Sequence, residues 1–479
     1  MWKWALKHEL MLVVVLLVVM FRTPTLFEPY WYGDEGVYLT IGQELGRGEA
    51  LYKDIHDNKP PFLYWVAAAA GGNQFWFRFM ATFWNAATIA VFYGLALRVF
   101  GQNKRGVAVS TVAFSVLTNL PLLEGNIANA ELFFLLLTVS AASLVWKEGV
   151  SSKNILVGGA LLGLGGLFKI PAVIEAVVWP FVWLVRREKK WFAKSVVWSV
   201  GVAIPLGAAA GYFYSQGVFR EFLIAAGLQN VPYLSSWTAG SGKGIYTLTG
   251  RVLVMGALLL LVFLKRRSWP RGQLIVVVWG IVGLFAALLS GRPYPHYLLQ
   301  LVPVLAIGAG LMASSEKIGR RIGLAVWLTV IVTWALFRFY VYPVVGYYTN
   351  FGQWVLKMKT RDEYFSWFNP QVSTNYAVAA YVMNRTSRDE PIFVWGDEPM
   401  VYALAHRGVV GKYTVKYHVG DFGAHAQTLK ALVNEEPAYI VSLSEEKGLP
   451  GLRSVLQDGY LLDETIGNAR IYRKKARNW

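Results

Sequence analysis

Leu10-Met11-Leu12-Val13-Val14-Val15-Leu16-Leu17-Val18-Val19-Met20-Phe21 is an unbroken apolar run that gives way at once to Arg22-Thr23-Pro24. Extended back to residue 4, it approaches the roughly 20 residues that a helix needs to cross the hydrocarbon core of a bilayer. It does not end in a small-residue cleavage site, so it reads as a retained anchor rather than a secretory signal. Similar runs recur near 77–100, 107–120, 130–146, 155–168, 171–185, 195–215, 248–264, 273–290, 297–313 and 322–340, with Pro171 and Pro180 interrupting the pattern. The sequence therefore predicts about eleven transmembrane helices. The whole chain agrees: 479 residues, 55% hydrophobic and 16% charged, with a mean hydropathy of +0.40, where soluble domains carry about 25% charged residues. Cysteine is absent, which excludes a disulfide scaffold. The expected class is a polytopic α-helical membrane protein.

The formal charge of +17 invites a nucleic-acid reading, but the cations are not gathered on a soluble face with aromatics between them. They sit in short clusters between apolar segments. Lys3 and Lys7, Lys104 and Arg105, Lys147 and Lys153, Arg186 to Lys194, Lys265-Arg266-Arg267 to Arg271, and Lys317 with Arg320-Arg321 fall on alternate loops. The positive-inside rule makes that set cytoplasmic. The N-terminus is then cytoplasmic, while the long loop 22–76, the loop 216–247 and the tail after Tyr340 lie outside. One alternating assignment accommodates every cluster. The expected location is the cell membrane, inner or plasma, with no nucleic-acid partner.

From about Pro343 the composition becomes more polar and the apolar runs shorten. Asn375 to Thr386 reads as a helix, Ile392 to Trp395 and Ala438 to Val441 as strands, and Asp421 as the cap of a helix through Val433. Leu461 to Ile466 and Arg470 to Tyr472 flank Gly467-Asn468, the pattern of a hairpin. Strands alternating with helices predict a small soluble α/β domain. The expected organisation is a transmembrane domain over 1–342, containing the outside loop 22–76, and an extracytoplasmic α/β domain over 343–479.

A connection of about fifty-five residues is long for a membrane bundle and points to function. Within it Val37, Tyr38, Ile41 and Leu45 share one helical face, predicting a helix over Gly36 to Gly46 that lies along the membrane surface. Two polar groups stand out. One is Asp34-Glu35, within Tyr32-Gly33-Asp34-Glu35-Gly36-Val37-Tyr38. The other is His56-Asp57-Asn58-Lys59-Pro60-Pro61-Phe62-Leu63-Tyr64-Trp65. Taken singly each is weak, since Asp-Glu pairs also occur at 362–363, 389–390, 397–398 and 463–464.

Together, in the first outside loop of a many-span chain, these motifs resemble the C-type (GT-C) membrane glycosyltransferases, in particular the aminoarabinose transferases and protein O-mannosyltransferase-like proteins of bacteria. Asn126 to Glu131, Leu167-Phe168-Lys169, Gly291 to Gln300 and Val394 to Pro399 agree with that resemblance. It implies a GT-C fold, a polyprenyl-phosphate-linked sugar donor, an active site on the outer face and a catalytic Asp at the position of Asp34.

The residues suit that chemistry. A sugar on polyprenyl phosphate carries a leaving group that is already a stabilised anion, so no acid need protonate it. A glycosidase uses two flanking carboxylates; this transfer can proceed with one, acting as general base toward the acceptor hydroxyl. Asp34 is the expected base, with Glu35 positioning the acceptor or Asp34 itself, and attack opposite the phosphate inverts the anomeric centre. Lys59, held stiffly by Pro60-Pro61, is the expected cation for the departing phosphate. Arg292 and His296 would complete the phosphate pocket, with hydrogen bonds from Tyr297 and Tyr294. His56, Asn58, Tyr64, Glu131 and Lys169 are candidate cavity-lining residues. Glu131, Lys169 and Glu175 are ionisable groups within or beside spans, where burial in lipid is costly; Glu175 is expected to reach interfacial water.

No cofactor is required by this scheme. A divalent ion held by Asp54, His56 and Asp57 is the lesser alternative, since the chain lacks Asp-x-Asp, His-Glu-x-x-His and cysteine. The paired glycines at 158–159 and 165–166 read as close helix packing. The acceptor can be a glycan, a lipid or a protein hydroxyl. Two other classes compete: a transporter or flippase of a polyprenyl-linked substrate, and a receptor or anchor whose tail is the working part. A transporter commonly shows two related halves with mid-span charges, whereas here the polar groups gather at one membrane face and no repeat is visible.

Overall fold

In the computed structural model, residues 2–235, 242–266, 269–314 and 316–475 are described, with the side chains of 2–8, 233 and 235 left aside. Arg267 of the expected cytoplasmic set lies outside the described residues, as do the side chains of Lys3 and Lys7 and residues 236–241 of the loop 216–247. Every apolar segment named above falls on helix. The expected count of eleven spans does not follow from that. Among the described residues five stretches are long and apolar enough to cross a bilayer: Glu9–Leu26, Gln74–Phe100, Trp191–Ser215, Pro295–Met312 and Lys317–Phe337. Ala130–Val145, Pro171–Val185, Leu248–Leu264 and Arg271–Ala287 are shorter apolar helices. Lys104–Leu117 and Ser152–Gly166 are likewise short, at 14 and 15 residues. At 1.5 Å per residue they rise about 22 Å, less than the roughly 30 Å of a hydrocarbon core. The chain is a multi-pass, mostly helical membrane protein.

Local chemistry sets the helix ends. Asn103, Ser151 and Thr247 each accept a backbone N–H at the start of the helix that follows, satisfying donors that the helix cannot pair internally. Helix Ser152–Gly166 packs on Trp191–Ser215 through glycine. A Cβ on Gly159 would lie 2.3 Å from the Trp198 carbonyl oxygen, and one on Gly163 would lie 2.3 Å from that of Val202. Gly159 of the first pair therefore serves close backbone approach, while at Gly165 and Gly166 a Cβ would meet the side chains of Ala172 and Val173, 3.3 and 2.2 Å away.

The chain divides into two compact units. One joins Met1–Thr25, Met80–Phe219 and Gly227–Val344; the other joins Leu26–Phe79, Arg220–Ala226 and Val345–Trp479. The first is helical and holds a large apolar core that includes Phe92, Phe114, Trp183, Trp198, Leu274 and Val302.

The second contains four strands: β1 (Ile392–Trp395), β2 (Tyr439–Ser442), β3 (Tyr460–Ile466) and β4 (Ala469–Lys474). Their spatial order is β1-β2-β4-β3. β1 and β2 are parallel, with Phe393 opposite Ile440, while β4 pairs antiparallel with both β2 and β3. The β3–β4 hairpin turns at Gly467, whose φ of +57° suits glycine. Asp421 closes the helix Lys416–Asp421 instead of capping the next one, which runs His425–Glu435.

The outside loop folds as one unit with the tail. Its helix Gly33–Gly46 is buried from Glu35 through Glu44, so it does not present one apolar stripe to a membrane surface as expected. Thr40 donates to the Pro399 carbonyl at 3.0 Å, and Gln43 donates to that of Ala403 at 2.9 Å. The donors of both side chains reach tail backbone carbonyls, which fixes the helix in register with the Asp397-Glu398-Pro399 segment.

Candidate active site

Helix Gly33–Gly46 opens with Asp34 and Glu35 in its first turn, where the unpaired N–H groups and the helix dipole favour negative charge. The two carboxylates then part company. The Asp34 side chain remains 36% exposed. Its Oδ2 accepts a 3.1 Å hydrogen bond from the Tyr38 hydroxyl one turn on, and the Lys59 ammonium lies 3.6 Å from the same oxygen. Glu35 turns inward. Both its oxygens accept from Arg78 Nε, at 2.9 and 3.0 Å, and Oε2 also meets Nη2 at 2.5 Å. Arg78 bonds Glu28 as well, at 2.8 Å, with both side chains fully enclosed. Glu28 in turn accepts from the Tyr347 hydroxyl at 2.5 Å and from Trp31 Nε1 at 2.7 Å. Glu35 thus anchors the helix that displays Asp34.

Lys59 sits between two carboxylates, 3.4 Å from Asp57 Oδ2 as well as 3.6 Å from Asp34, and 5.0 Å from the centre of the Tyr38 ring. Its own carbonyl accepts from the Tyr52 hydroxyl at 2.8 Å. The Pro60-Pro61 step leads straight into helix Phe62–Ala69, so the lysine is fixed on both sides. Asp57 is buried, and burial alone would raise its pKa. The Lys59 and His418 charges outweigh that, helped by the Asn58 N–H that Oδ1 accepts at 2.7 Å, and bring it down to about 2. The Tyr64 hydroxyl is near enough for Asp57 to raise its pKa, but it makes no hydrogen bond of ordinary geometry. Burial first, and then Asp34 and Asp57, hold the Tyr38 phenol well above its usual range, so it stays a donor.

His418 was not singled out in the sequence. Its Nε2 lies 3.5 Å from Asp57 Oδ1, and burial, ahead of the opposing pull of Asp57, lowers its pKa. His56 packs edge-on against Tyr413 and Phe422, inside the unit. Arg78 also escaped notice, although an arginine between Phe77 and Phe79 at the start of an apolar helix is a signal that ionic partners must be buried with it.

The expected residues of the helical unit form a second polar group. Lys169 Nζ lies 2.5 Å from Glu131 Oε1 and 4.2 Å from the centre of the Tyr297 ring. His296 pairs with Glu124, and its ring stacks with Tyr294 at 5.8 Å and meets Tyr297 edge-on at 4.6 Å. Burial and the Glu124 carboxylate raise the pKa of Tyr342. Glu131, Lys169, Tyr294, His296 and Tyr297 are therefore brought together; Arg292 follows the turn at Gly291, whose φ is +68°, and its backbone N–H donates to Ser290 Oγ at 3.4 Å. Lys59 belongs to the other unit. Glu175 does not reach interfacial water: it is buried, accepting from Trp279 Nε1 at 3.0 Å and Gln300 Nε2 at 2.8 Å. Among the described residues no group of three or more His, Asp or Glu side chains can hold a metal ion, and Asp54, His56 and Asp57 are not gathered into one.

Residues 58–213 match the family described as dolichyl-phosphate-mannose-protein mannosyltransferase. Among solved structures the fold is similar to ArnT from Cupriavidus metallidurans bound to undecaprenyl phosphate, at 15% identity over 98% of this chain and 99% of that one, with a TM-score of 0.64. The apo form of the same protein is similar at 16% identity, 98% of each chain and a TM-score of 0.59. No curated protein matches. The family match spans about a third of the chain, and the likeness to ArnT, which runs over nearly the whole of both chains, is a likeness of fold.

Proposed function

We propose that the protein transfers a sugar from a polyprenyl-phosphate donor to an acceptor hydroxyl at the outer face of the membrane, with inversion at the anomeric carbon. The observation that carries the reading is the partly exposed Asp34, held by Tyr38 and faced by Lys59. The donor class is supported by the dolichyl-phosphate family match and by a similarly folded protein solved with undecaprenyl phosphate bound. In the resting state Lys59 neutralises Asp34 and damps its basicity. An arriving phosphate competes for the ammonium, leaving Asp34 more basic as the acceptor hydroxyl enters. The acceptor oxygen attacks the anomeric carbon while its proton passes to Asp34. The bond from that carbon to the phosphate oxygen breaks, and the electron pair leaves with the polyprenyl phosphate, whose growing charge Lys59 stabilises. Glu35 acts by positioning Asp34 through Arg78.

Lys59, Arg292, His296 and Tyr297 are assigned to donor phosphate binding; His56, Asn58, Tyr64, Glu131, Lys169 and Tyr294 are assigned to cavity lining. In the same reading the shorter apolar helices complete a bundle of about eleven spans, the N-terminus is cytoplasmic, 1–342 is the membrane domain and 343–479 is an extracytoplasmic domain. The test supplies polyprenyl-phosphate sugar to the purified chain with candidate acceptors. Asp34→Asn is expected to cut transfer by about 10²–10⁴-fold while retaining polyprenyl-phosphate binding. Unchanged turnover in that variant removes Asp34 from the base role.

A further inference from the structure

The segment that carries Lys59 has almost no secondary structure of its own. Between helices Gly33–Gly46 and Phe62–Ala69 it makes one isolated bridge, Leu51 to Ile55. An irregular segment must find partners elsewhere for its buried polar groups, and here the tail provides them. The His56 N–H donates to the Lys412 carbonyl at 3.0 Å. The His56 ring is enclosed by Tyr413 and Phe422, and Phe422 also packs against His418 at 5.3 Å. One residue beyond His56, Asp57 presents its Oδ1 to His418 Nε2 and its Oδ2 to Lys59. Residues 412–422 thus form a mould for residues 56–59, and the only side chain of that mould drawn within 4 Å of an Asp57 oxygen as an ion-pair partner, among the described residues, is His418.

We propose that His418 is a positioning residue for the transfer reaction: it holds the buried Asp57 carboxylate in the orientation that keeps the Lys59 ammonium facing Asp34, so that the tail sets the geometry of the donor phosphate site. The proposal rests on the reading of Asp34 and Lys59 given above and adds a role for the C-terminal region. The physical reason is the cost of a buried carboxylate. Asp57 is enclosed, and its oxygens face one backbone N–H, one ammonium and one imidazole, with the Tyr64 hydroxyl also close by. Without the imidazole, Oδ1 loses a partner that it cannot replace with water. The carboxylate then rotates toward whatever donor remains, and Lys59 follows it away from Asp34. His418 itself is 4% exposed, so it acts on substrate through Asp57 and not by touch. Its Nδ1 has no hydrogen-bond partner, which leaves the Asp57 contact as its polar engagement.

The experiment uses the full chain in detergent with polyprenyl-phosphate sugar. His418→Ala is expected to raise the donor KM and lower kcat/KM for donor by about tenfold to a hundredfold, the range for a misplacement of about 1 Å, with the acceptor KM unchanged. His418→Gln, which can place an amide N–H near the former Nε2, is expected to restore most of the loss. In an Asp57→Asn background His418→Ala should add little, because the two act as one unit. A merely structural role would lower kcat with both KM values intact, would not be rescued by Gln and would add to Asp57→Asn; that pattern overturns the proposal, as does full activity in His418→Ala. Binding of undecaprenyl phosphate by the same variants is a second readout: His418→Ala should weaken it in the same direction as Lys59→Ala. If Asp34→Asn keeps full turnover while His418→Ala and Lys59→Ala both weaken phosphate binding, the base assignment fails and the positioning role stands. Loss in Asp34→Asn with no binding defect in His418→Ala gives the reverse result.

Discussion

Replacing Arg78 tests how the helix Gly33–Gly46, which carries Asp34, is held. Arg78 is fully enclosed between Glu28 and Glu35, with a bidentate Nε contact to Glu35 and further bonds at 2.5 and 2.8 Å. Two carboxylates share one guanidinium, so the group carries a net negative charge even when intact. Arg78→Ala leaves both anions buried. Glu28 keeps its Tyr347 and Trp31 donors, but Glu35 loses the hydrogen bonds that fix it. Breaking a buried ion pair from one side costs about 3–5 kcal/mol. For a unit of roughly 200 residues, that corresponds to a fall in Tm of about 6–20 °C at about 2–4 °C per kcal/mol. Glu35→Gln should behave differently. It removes one charge and leaves Arg78 with Glu28 as a neutral pair, with an amide oxygen still available to Nε, so the cost is about 1–2 kcal/mol. The assay is tryptophan-monitored thermal unfolding in detergent, with transfer measured per folded molecule below the lower Tm. Expected are a large Tm loss for Arg78→Ala, a small one for Glu35→Gln, and turnover in Glu35→Gln within about tenfold of the parent. Unfolding of Arg78→Ala at the parent temperature would refute the buried-ion argument. Abolished turnover in Glu35→Gln at an unchanged Tm would place Glu35 in the chemistry instead of behind it.

Two further outcomes follow from the same helix. Glu44 is buried beside Arg47; burial, opposed by Arg47, raises its pKa to about 7. The folded state therefore holds this proton between the ordinary carboxylate range and about 7, and stability falls as pH rises through that window, by about 3 kcal/mol at most. Glu44→Gln should flatten the decline measured by unfolding between pH 5 and 8; Asp57, already ionised above about 2, contributes no slope there. An unaltered pH dependence in the variant would show that Glu44 is charged throughout. Gly42 lies where a Cβ would stand 2.7–2.9 Å from backbone atoms of Ala67 and Ala68. Gly42→Ala should cost about 1–3 kcal/mol by forcing helices Gly33–Gly46 and Phe62–Ala69 apart. Gly46→Ala, which meets open space, serves as the control, and equal stability of the two variants would contradict the close approach.

The membrane class, the helical character of each apolar segment and the two polar motifs of the loop 22–76 were legible in residue order alone. Those features are local: a long apolar run, a hairpin around Gly467-Asn468, or an Asp-Glu pair followed by Asp-Asn-Lys-Pro-Pro within one loop. Residue order could not set the number of spans, because helix ends depend on caps and packing partners; Lys104–Leu117 starts three residues before the apolar run 107–120 and ends three residues before it does. Tertiary structure alone decided that adjacent carboxylates take opposite tasks, Asp34 open beside Lys59 and Glu35 enclosed with Arg78. Their chain neighbours are the same, and the difference comes from partners 43 residues away along the chain for Glu35 and 25 for Asp34. The tie between Asp57 and His418 spans far more sequence still, and no periodicity encodes it. A carboxylate's character follows from what surrounds it in space, which residue order specifies only after the chain has folded.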